Sequence, residues 1–404
     1  MKMIQGGVCA PQGFKAAGIH CGIRKNKLKK DLALIVSTEQ ADAAAIYTTN
    51  LVKGAPLIVT KENLQNGKAQ AIICNSGNAN TCNANGIEIA TQMCNLVSNA
   101  LHIDYRDVVV ASTGVIGQPL SIEPIKNGIP ELVSALADNG SQIAAEGIMT
   151  TDTKLKEIAL EFVVDGKTCK IGAIAKGSGM IHPNMATMLV FITSDINIDS
   201  KLLQQALSNT ANDTFNMISV DGDTSTNDMV VILANGLANN KRIEKEDEDF
   251  HIFQQALNEL LVDLSRKIAK DGEGATKLLE CKVSGAQAKE TAKIVAKSII
   301  CSSLVKAAMF GSDANWGRIL CAIGYSGAKV DVTKVDVSFK SAAGTIEVCK
   351  DGSGVDFSEE KAKKILLEDE IEILVSLNSG DASATAYGCD LTYDYVKING
   401  DYRT

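Results

Sequence analysis

A threonine at position 187 separates a glycine-bearing loop from an apolar run, in Lys176-Gly-Ser-Gly-Met-Ile-His-Pro-Asn-Met-Ala-Thr187-Met-Leu-Val-Phe-Ile192. A β-branched residue opening a buried strand is ordinary in itself. The setting is less ordinary. Pro183 fixes the approaching backbone, Gly177 and Gly179 permit φ angles that other residues resist, and Ala186 leaves the preceding carbonyl unshielded. Such a loop can hold the Ala186 carbonyl in a strained geometry against the Thr187 hydroxyl. Attack there gives an ester by an N→O acyl shift, and water then releases chains of 186 residues and the remaining 218 of the 404.

Cleavage would supply what a threonine hydroxyl lacks, a base to take its proton. The freed α-amine of Thr187 would have a pKa of about 7.7–8.0 when unperturbed, close to the working pH that favours a general base. The four histidines, His20, His102, His182 and His251, stand in no G-x-S-x-G frame, so a Ser-His-Asp hydrolase is not indicated. His182 reads as a hydrogen-bonding loop residue rather than a base. Acyl chemistry also needs fixed donors for a developing oxyanion. Ser112-Thr113-Gly114-Val-Ile-Gly117 follows a strand, and the Thr113 hydroxyl with the Gly114 N–H can converge on one oxygen. A plain glycine turn is the commoner reason for such a string.

Other polar strings have simpler readings. Asp221-Gly-Asp-Thr-Ser-Thr-Asn-Asp228 lacks the glycine and final acid of a calcium loop. It is either an Asx-rich turn or a structured wall of an active site. Lys270-Asp-Gly-Glu273-Gly-Ala-Thr276 sets an acid between two glycines. No segment matches G-x-x-x-x-G-K-[ST]. The eleven cysteines are scattered without a C-x-x-C, which a reducing cytoplasm permits, and most read as small core residues. Neither a metal nor a tightly bound cofactor is expected.

The elements that must position these residues follow from pattern. Residues 69–75 and 107–112 are short apolar runs, each leading into a polar turn, with helices expected near 86–101 and 121–137. Asp165-Gly166 between 157–164 and 168–175 signals a hairpin, and an apolar strand begins at Thr187. Asp199 reads as the N-cap of a helix over 200–213. A strand follows at 228–234, then a long helix at 248–270. Beyond residue 280, helices near 286–301 and 315–323 precede strands at 335–340, 345–349, 371–377 and a last one near 390–398. Hairpin spacings outnumber β-α-β units, so the fold class is α/β with mixed or antiparallel sheets. The expected division is a main body over 1–280, completed by the tail 390–404, and a smaller α/β domain over 281–390.

Composition narrows the partners. The chain has 45% hydrophobic, 22% charged and only 4% aromatic residues, so its core rests on aliphatic side chains. A net charge of −8 argues against nucleic acid and anionic membranes as partners. No apolar run approaches membrane-spanning length, and the first residues do not resemble a signal peptide. Small molecules are the expected partners and the cytoplasm the expected location.

Taken together, the strings resemble the ornithine acetyltransferases of arginine biosynthesis, the glutamate N-acetyltransferase or ArgJ family. The resemblance runs from Gly6-Gly-Val-Cys-Ala-Pro-Gln-Gly-Phe-Lys-Ala-Ala-Gly18 through Cys74-Asn-Ser-Gly-Asn-Ala-Asn80, Ser112–Gly117, Met149-Thr-Thr-Asp-Thr153, Lys176–Thr187 and Asp221–Asp228. It continues in Asp271–Thr276, Gly311-Ser-Asp-Ala-Asn-Trp-Gly-Arg318 and Ile398-Asn-Gly-Asp-Tyr-Arg-Thr404. It implies self-cleavage between Ala186 and Thr187, Thr187 as nucleophile, and Thr113 and Gly114 as oxyanion hole. It further implies substrate contacts at Thr150 or Thr151, Lys176, Thr187, Glu273, Asn399 and Thr404.

The implied reaction is a ping-pong transfer of acetyl from N2-acetyl-L-ornithine to L-glutamate, with acetyl-CoA as a further donor in bifunctional members. The implied fold is a layered α/β sandwich like that of the DmpA-type aminopeptidases, assembled from two α and two β chains. Gly400-Asp401 and Ala314 depart slightly from the family pattern. The rival reading is a self-processed aminopeptidase or amidase of related fold, in which water takes the acyl group.

Overall fold

A computed structural model describes residues 1–182 and 188–400. Ala186, Thr187 and Thr404 therefore lie outside the described residues. The chain divides into two compact units. One comprises Met1–Gly177, Asn184–Asn212 and Thr224–Leu264; the other comprises Ser178–Pro183, Asp213–Asp223 and Ser265–Thr404.

In chain order the strands are β1 (Lys2–Ile4), β2 (Phe14–Ile19), β3 (Leu32–Tyr47), β4 (Lys68–Asn75), β5 (Val108–Ser112), β6 (Lys156–Val164), β7 (Lys167–Lys176), β8 (Leu189–Ser194), β9 (Ile218–Ser219), β10 (Met229–Ala234), β11 (Leu278–Ala286), β12 (Asp336–Ser341), β13 (Gly344–Lys350), β14 (Ser353–Gly354), β15 (Glu370–Ser376) and β16 (Ala382–Cys389).

The first unit is built on the sheet β1-β6-β7-β8-β10-β3-β4-β5, with β2 also paired to β3. It is mixed: β4 runs parallel to β5 and β8 parallel to β10, while β6, β7 and β8 form an antiparallel meander. Both faces are covered, which is why its strands are apolar without alternation. Ile72, Cys74, Val109 and Ala111 enter one core with Ala144, Ala145 and Ile148 of the helix Ser141–Ile148. Ala71, Ile73, Val108 and Val110 point the other way, to Ile89, Met93 and Val97 of the helix Gly86–Leu101 and to Ile125 and Ile129 of Glu123–Ser134. The β6–β7 turn takes Asp165 at φ 51° and Gly166 at φ 67°, the conformation that an Asp-Gly hairpin favours. Asp199 caps its helix as expected, accepting from Lys201 N at 2.9 Å.

The second unit carries the mixed sheet β14-β13-β12-β15-β11-β16-β9. Its core joins Ile373 and Val375 of β15 to Val295 and Ile299 of the helix Lys289–Cys301 and to Ile319 of Trp316–Gly324. One expectation fails here. The strand near 390–398 is a helix, Tyr393–Gly400, preceded by β16. Its tyrosines and β-branched residues suit a strand, but Thr392 Oγ1 accepts from Tyr395 N at 3.3 Å and starts a helical turn. Of the eleven cysteines, all free thiols, six are buried.

Candidate active site

In the first unit, the parallel strands β4 and β5 end side by side, Asn75 opposite Ser112. The turn after β4 is organised by Asn75, whose carboxamide donates to Ser112 Oγ at 2.6 Å and accepts from Asn78 N at 3.2 Å. Its carbonyl accepts from Thr113 N at 2.9 Å. Thr113 and Gly114 are half-buried at the end of β5. Gly114 has φ 128°, and a Cβ there would press on the Gly77–Asn78 backbone. Only glycine serves at that position. The Gly114 N–H takes no acceptor among the described residues.

These turns are pinned by Asn227, which is buried. Its Nδ2 donates to Ala79 O at 2.6 Å and Ser112 O at 2.9 Å, while Oδ1 accepts from Thr81 Oγ1 at 2.5 Å and Thr226 Oγ1 at 2.6 Å. Both donors and both lone pairs of the amide are used. Gly54 is glycine because a Cβ would overlap this amide. The sequence reading left 221–228 open between an Asx-rich turn and a structured active-site wall, and gave Asn227 no role of its own.

Lys176 ends β7, and its Nζ lies 3.5 Å from Thr113 Oγ1. Near it stand two carboxyl groups of opposite character. Asp152 Oδ1 accepts from Lys156 Nζ at 2.7 Å and Gly177 N at 2.7 Å, and Oδ2 accepts from Thr150 N at 3.0 Å. Burial would raise this carboxyl, but Lys156 and Lys176 outweigh it and hold Asp152 well below the usual carboxylate range. Asp228, by contrast, is pushed well up by burial, which its hydrogen bond to Ser225 and the Lys176 charge only partly oppose. Thr150 and Thr151, both half-buried, adjoin Asp152.

The second unit holds Glu273 and Asn399 together. Asn399 Nδ2 donates to Glu273 Oε2 at 2.8 Å. Glu273 N donates to Ser178 O at 3.0 Å, and a Cβ on Gly179 would overlap the Glu273 carboxylate. The same segment is gripped by Asp221, whose carboxylate accepts from Met180 N at 2.6 Å and Ile181 N at 2.9 Å. His182 Nδ1 is 3.1 Å from Ser219 Oγ. Burial, then the Lys297 charge, lowers His182 to about 4. Such an imidazole is a poor base at neutral pH, in line with its reading as a loop hydrogen-bonder. Asp152, Asp221 and Asn227 were not singled out by sequence. The clustering of Asp and Asn within glycine-bearing strings was the available signal.

A model of the ArgJ family matches residues 15–404. The "Arginine biosynthesis bifunctional protein ArgJ" of Caldanaerobacter subterraneus subsp. tengcongensis is 51% identical over 405 residues, covering 100% of both chains. The chain belongs to the ArgJ family. That is the glutamate N-acetyltransferase family to which the motifs pointed, so the chain is an enzyme and an acetyltransferase. A second ArgJ relative, "Arginine biosynthesis bifunctional protein ArgJ 1" of Clostridium acetobutylicum, is 52% identical over 97% of this chain and 96% of its own. The crystal structure of an ArgJ protein from Bacillus halodurans matches with 51% identity and a TM-score of 0.50, covering 52% of this chain and 97% of that one.

Two substitutions test how this ArgJ site is held. Asn227→Ala strands two carbonyls and two hydroxyls, and each buried group left unpaired costs about 1–3 kcal/mol; a loss under about 1 kcal/mol in denaturant unfolding would contradict the clamp. Asp152→Asn leaves the buried Lys156 ammonium without its anion, a loss of about 3–5 kcal/mol. The Asp152 carboxyl is depressed in the fold, so its contribution is present above the unfolded value of about 3.9 and is lost as pH falls through the folded one. The acid limb of the stability–pH curve should therefore flatten in Asp152→Asn, and an unchanged limb counts against the assignment.

Proposed function

We propose that the chain is a precursor that breaks its own Ala186–Thr187 bond and then moves acetyl from N2-acetyl-L-ornithine to L-glutamate through an acetyl ester on Thr187. The observation that carries this reading is the meeting of Lys176 and Thr113, 3.5 Å apart. A cation suited to a substrate carboxylate stands beside a hydroxyl suited to an oxyanion.

In the first half-reaction the Thr187 α-amine takes the hydroxyl proton, and the oxygen attacks the acetyl carbonyl. The Thr113 hydroxyl and the Gly114 N–H donate to the oxyanion. The nitrogen of ornithine leaves with the proton held by the α-amine. In the second, the amine of glutamate attacks the ester, and Thr187 recovers its hydroxyl proton as N-acetyl-L-glutamate departs. Thr150 or Thr151, Lys176, Glu273, Asn399 and Thr404 bind substrate in this scheme. The two relatives are named bifunctional, and we include acetyl-CoA as a second donor.

The Bacillus halodurans match supports two-chain maturation. The solved chain is itself about half as long as this one, and a product of 218 residues would be 54% of the 404. The mature protein in this reading is a cytoplasmic assembly of two α chains (1–186) and two β chains (187–404).

Thr187→Ala should remain a single chain and lose transfer by about a thousandfold or more, as removal of a nucleophile does. A Thr187→Ala protein that still separates into two chains would overturn the scheme. With wild-type protein, N-acetylglutamate should accumulate from acetylornithine only when glutamate is present. Free acetate forming equally fast without glutamate would favour the amidase reading.

A further inference from the structure

The densest run of positive charge in this acidic chain has no role in the acetyl-transfer steps described above. Arg24-Lys25-Asn26-Lys27-Leu28-Lys29-Lys30 places five cations in seven residues, on the loop between β2 and β3 of the first unit. The inner side of that loop is fixed against the site. Arg24 Nε donates to Ser76 O at 2.9 Å, and its Nη2 donates to the carbonyls of Ser76 and Met149. Met149 precedes Thr150, and Ser76 follows Asn75, whose carbonyl accepts from Thr113 N. A Cβ on Gly77 would overlap Ile23 and lie 3.2 Å from Arg24 Cγ, while one on Gly114 would press on Gly77 itself. The loop, the turn after β4 and the glycine of the oxyanion pair are thus in successive contact.

The outer side of the loop is left cationic. Asp31, the acid that closes the string, is fully buried. Its carboxylate accepts from Cys21 N at 2.7 Å, Arg24 N at 2.9 Å and Gly22 N at 3.2 Å, so it is engaged by the loop backbone. Lys30 is paired with Glu146 at 2.8 Å. Lys25, Lys27 and Lys29 are exposed and make no ion pair among the described residues. Leu28, between the last two, is 96% exposed. A single exposed lysine is an ordinary solvated group. Three unpaired ones around an aliphatic side chain, on a loop tied at its base to the site, suit a ligand with several phosphates and a flat apolar base. Lysine meets phosphate as a point charge. Coenzyme A has that chemistry at one end of a flexible arm, as a 3′-phosphate, a pyrophosphate and an adenine, and holds its acetyl group at the other. N2-acetyl-L-ornithine has none of it.

We propose that Lys25, Lys27 and Lys29 form a phosphate subsite for the nucleotide end of acetyl-CoA, with Leu28 against the adenine, so that the rim of the site serves the large anionic donor and not the small one. The inference rests on acetyl-CoA as the second donor of the proposed function. The chemical step is that of the first donor: the Thr187 oxygen bonds to the acetyl carbon, the carbon–sulfur bond breaks, and the thiol leaves with the proton held by the α-amine. The three lysines touch no reacting atom, so they govern the KM for acetyl-CoA and not kcat. Attraction between exposed lysines and phosphates is screened by salt.

The test uses mature wild-type enzyme, the triple variant Lys25→Ala/Lys27→Ala/Lys29→Ala, and the charge-keeping Lys25→Arg/Lys27→Arg/Lys29→Arg. Loss of three exposed charge pairs should raise the KM for acetyl-CoA about tenfold. The KM for acetylornithine, which reports that the alanine variant is folded, should change less than about twofold. The arginine variant should stay within about twofold of the wild type for both donors. Added salt should raise the wild-type KM for acetyl-CoA and affect the alanine variant much less. Calorimetry with adenosine 3′,5′-bisphosphate reads the subsite without turnover: the wild type should bind it, and the alanine variant about tenfold less tightly. An unchanged KM for acetyl-CoA in the alanine variant, or an equal rise for both donors, overturns the proposal. So does a bisphosphate that binds neither protein or both alike. Wild-type enzyme that transfers from acetylornithine alone and binds no bisphosphate overturns the subsite and leaves the functional reading standing. Wild-type protein that binds the bisphosphate through these lysines yet transfers acetyl from neither donor would defeat the functional reading and leave the phosphate subsite established.

Discussion

One buried amide holds the first unit's site together. Asn227 joins the turn after β4, the end of β5 and the entry to β10 through four hydrogen bonds, each 2.5–2.9 Å long. A buried polar group fully satisfied in this way is specific as well as stabilising, because any shift of one partner strands the others. Thr113 and Gly114 depend on it, since the Ser112 carbonyl that Asn227 grips is the residue before them. So does Asp228, the residue after it. Oxyanion chemistry needs donors fixed before charge develops, and the clamp provides that fixity from the far side of the turn.

Charge around Lys176 is arranged with equal economy. A buried cation, Lys156, engages Asp152, and the Gly177 and Thr150 amides complete that carboxylate. Asp228 Oδ2 has no hydrogen-bond partner among the described residues, and burial raises this carboxyl well above the usual carboxylate range. Two aspartates of the same intrinsic acidity are thus shifted in opposite directions, by burial on one side and by lysine charges and donors on the other. In the second unit, Glu273 is placed by different means: Gly179 gives its carboxylate room, Ser178 accepts from its backbone, and Asn399 donates to its side chain.

Much of this was legible in the chain. The runs at 69–75 and 107–112 announced β4 and β5 because a sheet covered on both faces needs apolar residues at every position. Asp165-Gly166 announced its hairpin because both residues tolerate positive φ. Leu32–Tyr47 escaped notice because Thr38-Glu-Gln40 breaks the apolar pattern midway, a break the structure absorbs as an irregularity between Val36 and Ala41. The tail near 390–398 misled in the opposite sense, since its strand-forming side chains belong to a helix that Thr392 begins. Asn227 and Asp228 stood in a string open to two readings, an Asx-rich turn or a structured active-site wall. Both are buried, and Asn227 has partners more than a hundred residues away, such as Thr81 and Ser112, which local pattern does not encode.

The account turns on whether a second chain start exists. Amino-terminal sequencing of purified, active protein measures this directly. Two sequences in equal amounts are expected, one from the amino terminus of the α chain and one reading Thr-Met-Leu-Val from position 187. Active material that yields a single start, with nothing beginning at Thr187, would contradict it.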